Sequence, residues 1–171
     1  MNKVLHSSAK GAWRTPQEVI DLVMTVDRIR LDPCAHHESC FRVPVEYHLD
    51  EGRNGLALSW SPDSNGSLLP PFANLVYVNP PYGRGLLRWA NKIAWEAGQQ
   101  NEIITLIPAR TDTQWWRALW RSAAAVAFWQ GRLQFIGALY PAPFPSALFY
   151  HGLHIERFVS AFEDHCLIAR L

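Results

Sequence analysis

Asn79-Pro80-Pro81-Tyr82 is the segment of this sequence whose residue types and order point most directly to chemistry. Two prolines directly after an apolar run fix the backbone, so the Asn79 side chain and the Pro80 carbonyl can both face one small group. Two acceptors converging on an exocyclic amine take its two N–H bonds and draw the nitrogen out of conjugation with its ring. The lone pair then faces the opposite side, ready for in-line attack on an electrophile. Tyr82 offers a flat face to the ring that bears the amine. A base inside a duplex cannot reach such a site, so a DNA substrate has to be flipped out or single-stranded. No general base is required, because an amine that has just been alkylated is strongly acidic. Asn and Pro are also ordinary turn residues, and the same tetrapeptide can serve simply as a strand stop.

Arg110 and Asp112 follow a second apolar run and either contact phosphate or pair with each other. Phe135 and Phe144 either stack on a flipped base or fill the core. Cys34-x-His36-His37-x-x-Cys40 has the residue types of a metal site but not its paired spacing, and only the distant His48 or Cys166 would complete four ligands. No metal is expected there. His151, His154 and His165 are isolated in sequence and read as surface or packing residues.

Around these residues the chain must supply a scaffold. Thr15 reads as the cap of a helix with Pro16 at its first position and Glu18 completing a capping box; Val19, Ile20, Val23 and Met24 then give one buried face. Ile29 to Asp32 is a short strand stopped by Pro33, and Val45 to Leu49 a possible second strand. Residues 50–71 are rich in Gly, Asn, Ser, Asp and Pro and read as loop. Leu75 to Val78 has the apolar character of a buried parallel strand. A helix over Leu86–Ala97 follows, with Leu86, Ala90, Ile93, Ala94 and Ala97 on one face. Next come a strand over Glu102–Ile107, a helix capped by Asp112 or Thr113, and a strand over Ala125–Trp129. A turn at Gln130-Gly131-Arg132 into a strand over Leu133–Ile136 is expected, then Ala147–Tyr150, a short helix over Glu156–Glu163 and a last strand over Leu167–Leu171. The alternation of strands and helices implies an α/β fold with a mostly parallel central sheet flanked by helices, binding its ligand beyond the carboxyl ends of the strands.

With 171 residues the chain fits a single domain over residues 1–171, since ~100–200 residues per domain is usual. Its 49% hydrophobic and 18% charged composition excludes wholesale disorder. No apolar run approaches the ~18 uncharged residues of a membrane helix, and the first residues lack the apolar block of a secretory signal. Three cysteines do not make a disulfide scaffold, which favours a reducing cytoplasm. The net charge of +1 is unevenly spread: residues 79–132 hold seven basic side chains against three acids. Six of the eight tryptophans lie there as well. Basic and aromatic residues together suit a nucleic acid, although the same charges also fit a solvated helix face. Trp95, Trp116 and Trp129 read as core residues.

The motifs occur in a telling order. Trp13-x-Thr15-Pro16, Leu31-Asp32-Pro33-Cys34-Ala35, Asn54-Gly55-Leu56 with Trp60, Asn79-Pro80-Pro81-Tyr82-Gly83 with Trp89, and Leu106 to Thr113 precede Gly131-Arg132-Leu133-x-Phe135 and Pro143 to Leu148. This series, over about residues 13–151, resembles the phage and prophage Dam-type DNA N-6-adenine methyltransferases. The resemblance implies a Rossmann-like fold of minimal size, S-adenosylmethionine as cofactor, and a bacterial host cytoplasm. It implies that Asn79, Pro80, Pro81 and Tyr82 are catalytic. It also implies that Trp13, Thr15, Pro16, Asp32, Pro33, Cys34, Ala35 and Asn54 border the cofactor, and that Arg110, Asp112, Arg132 and Phe135 serve the DNA. Asn54 stands where the family usually has Asp. A hydrogen bond to a charged group is worth about 1.5–3 kcal/mol against about 1 for a neutral one, so weaker cofactor binding is expected if that side chain touches it.

The expected activity is methyl transfer to the N6 amine of adenine in DNA. Methylation of RNA or of a protein amide, or binding of nucleic acid without turnover, are the rival readings.

Overall fold

Val19, Ile20, Val23 and Val26 recur three and four residues apart, which is why residues 17–26 coil into α1 (Gln17–Val26) and bury that stripe. In the computed structural model residues 13–34, 47–48, 55–57, 59–60, 75–99 and 101–171 are described. After α1 come β1 (Ile29–Asp32), β2 (Tyr47–His48) and β3 (Leu75–Val78), whose four residues are all buried. Then follow α2 (Leu86–Ala97), β4 (Glu102–Pro108), α3 (Gln114–Trp120) and β5 (Ala125–Trp129). β6 (Ser146–His151), α4 (Ile155–Phe162) and β7 (Cys166–Arg170) complete the described elements.

The strands form one sheet in the order β2-β1-β3-β4-β6-β5-β7. β2, β1, β3 and β4 are mutually parallel, whereas β6 inserts antiparallel between β4 and β5, and β7 runs antiparallel along β5. The sheet is therefore mixed: five strands share one direction, yet three of the six pairings are antiparallel. The sequence does not announce this, because β6 is as fully buried as the parallel strands β3 and β4.

Alternate residues of each strand feed two cores. Leu75, Tyr77, Ile104, Leu106, Leu148 and Tyr150 pack with α1 and α4 on one face. Val76, Val78, Ile103, Ile107, Ala147 and Phe149 pack with α2 and α3 on the other. No described helix is long and apolar enough to cross a membrane.

Several local expectations need correction. Pro16, not Thr15, is the residue that precedes α1, and its side chain has no hydroxyl to cap with; the Thr15 hydroxyl is engaged elsewhere. Met24 is exposed, because the stripe on α1 turns toward Val26 instead. On α2 the buried positions are Leu86, Trp89, Ala90, Ile93 and Glu96, with Ala97 partly buried against the same core and Ala94 off that face. Residues 133–136 form no strand; among the described residues their only ladder contact is a bridge between Ile136 and Arg14. Trp95 is 54% exposed, with Lys92 Nζ 4.7 Å from its ring, while Trp116 is buried and Trp129 half-buried.

Candidate active site

Pro33 directly follows β1, Pro80 lies two residues beyond the end of β3, and β4 ends on Pro108; proline cannot extend a ladder. The carboxyl ends of these strands and the segment leading into α1 meet at one edge of the sheet. Asn79 lies at the centre. Its Nδ2 donates to the Trp13 carbonyl at 2.5 Å and to Thr15 Oγ1 at 3.0 Å. Both amide hydrogens are thus consumed, and the carboxamide cannot turn without losing two bonds. Its Oδ1 is buried and has no hydrogen-bond partner among the described residues. A buried acceptor left alone costs about 1–3 kcal/mol. The site therefore holds an acceptor, fixed in direction, that would be satisfied by an incoming N–H.

Thr15 is the second fixed point. Its Oγ1 accepts from Asn79 and shares a hydrogen bond of 2.7 Å with the Tyr77 hydroxyl. Tyr77 belongs to β3 and is fully buried, and burial holds its phenol well above the usual range, so the ring carries no charge. Sequence reading missed Tyr77. The available signal was a hydroxyl-bearing side chain inside an otherwise aliphatic buried strand, a position that demands a polar partner.

Asp32 and Cys34 form the wall contributed by β1. Asp32 is buried, and its Oδ1 accepts from the Cys34 amide at 2.9 Å, closing the turn over Pro33. Burial pushes the Asp32 carboxyl up to about 7, and the Cys34 amide offsets only part of that. Burial, with Asp32 adding to it, also holds the Cys34 thiol well above its ordinary value. This wall is neutral or weakly acidic near pH 7.

Gly55 explains how a second segment reaches this turn. A Cβ on Gly55 would sit 2.3 Å from the Pro33 carbonyl oxygen and 3.0 Å from the Trp89 ring, so only glycine allows the approach. The Gly55 carbonyl accepts from Trp60 Nε1 at 2.8 Å, and the Trp60 amide donates to Glu96 Oε1 at 3.0 Å. Glu96 is fully buried in α2, paired with Lys92 at 2.7 Å and bonded to Asn101 Nδ2. A buried carboxylate thereby ties this segment to the sheet's flanking helix. Asn54 itself and Ala35 lie outside the described residues, as do His36, His37 and Cys40 of the candidate metal cluster.

Tyr82 is half-buried, and its hydroxyl donates to the Leu106 carbonyl at 3.4 Å. Its ring meets Phe135 and Phe144 edge to face, with centroids 6.2 and 5.7 Å apart. Trp13 packs against the same two phenylalanines at 5.1 and 5.4 Å. Pro80 is buried and Pro81 exposed. Phe135 is 1% exposed and forms the wall behind Tyr82. Arg110, Asp112 and Arg132 are all exposed, and no ion pair joins Arg110 to Asp112.

Trp13, Thr15, Asn79 and Tyr82 are thus brought into one constellation, with Asp32, Pro33 and Cys34 beside it near the Tyr77 phenol. A comparison with curated proteins returned no match. Residues 3–142, about four-fifths of the chain, match the family model for DNA N-6-adenine-methyltransferase (Dam), and the chain belongs to that family of enzymes.

Proposed function

We propose that this protein transfers a methyl group from S-adenosylmethionine to the N6 amine of adenine in DNA. The observation that carries the reading is the Asn79 carboxamide, held by both of its N–H groups with its oxygen buried and unpartnered. An exocyclic N–H supplies the missing donor. With that bond and a second to the Pro80 carbonyl, the amine nitrogen pyramidalises and exposes its lone pair. Tyr82, held by Phe135 and Phe144, stacks on the adenine ring.

The residues present fit the cofactor. A buried carboxyl whose ionisation is pushed up to about 7 by desolvation suits a ligand that brings positive charge beside it, and Asp32 is such a group. Trp13, Thr15, Pro16, Asp32, Pro33 and Cys34 would hold S-adenosylmethionine, with Ala35 and Asn54 in the same motifs. When bound, it supplies an electrophilic methyl group attached to a sulfonium. The chain's own contribution is alignment of the amine and exclusion of water. Arg110 and Arg132 are exposed to meet phosphates, with Asp112 between them in sequence.

The test is transfer of labelled methyl from S-adenosylmethionine to unmethylated DNA, followed by nucleoside analysis. N6-methyladenine is expected from the wild type. Asn79→Ala is expected to lower kcat by ~10²–10³, the loss typical for a fixed polar group at the reacting centre. Label on RNA or protein in place of DNA, or an Asn79→Ala variant as active as the wild type, overturns the proposal.

A further inference from the structure

The segment from Leu133 to Phe144 is irregular but firmly held. Leu133, Phe135, Ala142 and Phe144 are buried, and Ala142 N donates to the Leu133 carbonyl at 2.8 Å, closing the loop at its base. Inside it, Ala138 N donates to the Phe135 carbonyl at 3.0 Å, Gln134 Nε2 donates to the Ala138 carbonyl at 3.2 Å, and Ile136 N donates to the Arg14 carbonyl at 2.9 Å. Gly137 takes a φ of 84°, a turn that side-chain-bearing residues rarely make. Past this turn Leu139 and Tyr140 are 87% and 78% exposed, side by side and followed by Pro141.

Single exposed apolar residues are ordinary; two adjacent bulky ones on a pinned loop are a different matter. The loop's base is the Phe135 and Phe144 wall against which Tyr82 packs. Its tip therefore projects from the same scaffold that holds the candidate base-stacking residue. Flipping a base out of a duplex leaves a gap in the stack. Apolar side chains inserted between base steps are a general way to fill such a gap and offset the lost stacking.

We propose that Leu139 and Tyr140 are a wedge that enters the base stack of duplex DNA and fills the place left by the adenine turned toward Asn79. The inference rests on the proposed function, since it assumes an adenine in DNA as the target. Duplex DNA is the occupant favoured by the cations the loop meets: exposed Arg132 leads into it, and Arg14 Nη2 lies 3.5 Å from where a Cβ on Gly137 would sit, giving positive charge for phosphates. An aliphatic and an aromatic side chain fit the faces of bases, not the charged backbone. The anchored loop also limits the entropy lost when the tip is gripped.

Two measurements test it. Methyl transfer is followed on native and heat-denatured unmethylated plasmid DNA for the wild type, Leu139→Ala, Tyr140→Ala and the double variant. The double variant is expected to lose about tenfold on native DNA, equivalent to ~1.4 kcal/mol, with little change on denatured DNA, where nothing has to be flipped. Equal losses on both DNAs, as a protein-folding or general-binding defect gives, or no loss on native DNA, overturn the wedge. The second measurement needs no catalysis: binding to a short duplex carrying an abasic site is compared with binding to the intact duplex. The wild type is expected to favour the abasic duplex, and the double variant to lose that preference. A wild type that binds both equally overturns the wedge, whereas absence of transfer to either DNA overturns the proposed function instead.

Discussion

Thr15 Oγ1 accepts a hydrogen bond from Asn79 Nδ2 at 3.0 Å, joining the segment that opens α1 to the residue that follows β3 across 64 positions of sequence. The hydroxyl also shares a 2.7 Å bond with Tyr77, so one threonine orients both a candidate catalytic amide and a buried phenol. This junction is where sequence-distant motifs become a single site.

Replacing that hydroxyl by a methyl group should therefore be felt twice. Thr15→Val is close to isosteric but leaves Asn79 with one anchor and Tyr77 without a partner. A stability loss of about 1–3 kcal/mol is expected from unsatisfied buried groups, together with a fall in kcat that Thr15→Ser restores. Denaturant unfolding and single-turnover methylation measure the two effects separately.

Asp32 and His151 give the protein opposing pH dependences. Asp32 is raised from 3.8 to about 7, so the folded state prefers its proton. Its contribution is complete below about pH 4, declines as the pH rises and levels off above about 7. His151, buried with Nε2 3.0 Å from Ser122 Oγ, is lowered from 6.5 to about 4 by burial. Its contribution is complete above pH 6.5 and is lost as the pH falls toward 4. In Asp32→Asn the aspartate effect is removed and the histidine effect is retained. The stability of this variant relative to wild type is expected to climb between pH 4 and 7 and then stay level; a difference independent of pH would mean that Asp32 is ionised throughout.

The close approach of Gly55 to Pro33 makes a single methyl group informative. Gly55→Ala places a carbon against a backbone oxygen at 2.3 Å, and neither side is a flexible side chain that can swing away. A stability loss of about 1–3 kcal/mol from overpacking is expected, with weaker S-adenosylmethionine binding as the Asp32–Cys34 turn shifts. Calorimetric titration of the variant checks the second part.

Glu96 offers a remote handle on the same region. Truncating it to alanine removes the carboxylate partner of Lys92 and of the Trp60 amide at once, and one of the bonds made by Asn101. Breaking a buried ion pair from one side typically costs about 3–5 kcal/mol, and the Gly55–Trp60 segment loses its tie to α2. Reduced thermal stability with a raised KM for the cofactor is the expected pattern.

Much of the scaffold was legible in the sequence because its signals are local. The apolar run of Leu75–Val78 ended by Pro80, and the stripe of Val19, Ile20 and Val23, each announce an element without reference to the rest of the chain. The motif order was enough to name the family. What stayed hidden depends on residues far apart. The bond between Thr15 and Tyr77, the anchoring of Asn79 on the Trp13 carbonyl and the burial of Glu96 beneath Trp60 leave no periodicity to read. A threonine before Pro-Gln-Glu looks like a cap because capping is the commonest local use of a hydroxyl, and a tertiary contact claimed it instead. The direction of β6 is equally silent, since pairing partners, not composition, decide it.

That insertion of β6 between β4 and β5 governs the order in which the sheet can be finished on the ribosome. β5 has no neighbour made before it: its pairings are with β6 and β7, which emerge later. The parallel half, β1 to β4, can assemble while β5 waits, and β4 keeps an open edge until residues 146–151 arrive. A nascent chain released after residue 142, where the family match stops, would carry that bare edge and an unpaired apolar strand. Both are templates for sticking to another chain. β6 and β7 thus act as a closing clasp, covering the edges that β4 and β5 would otherwise leave open.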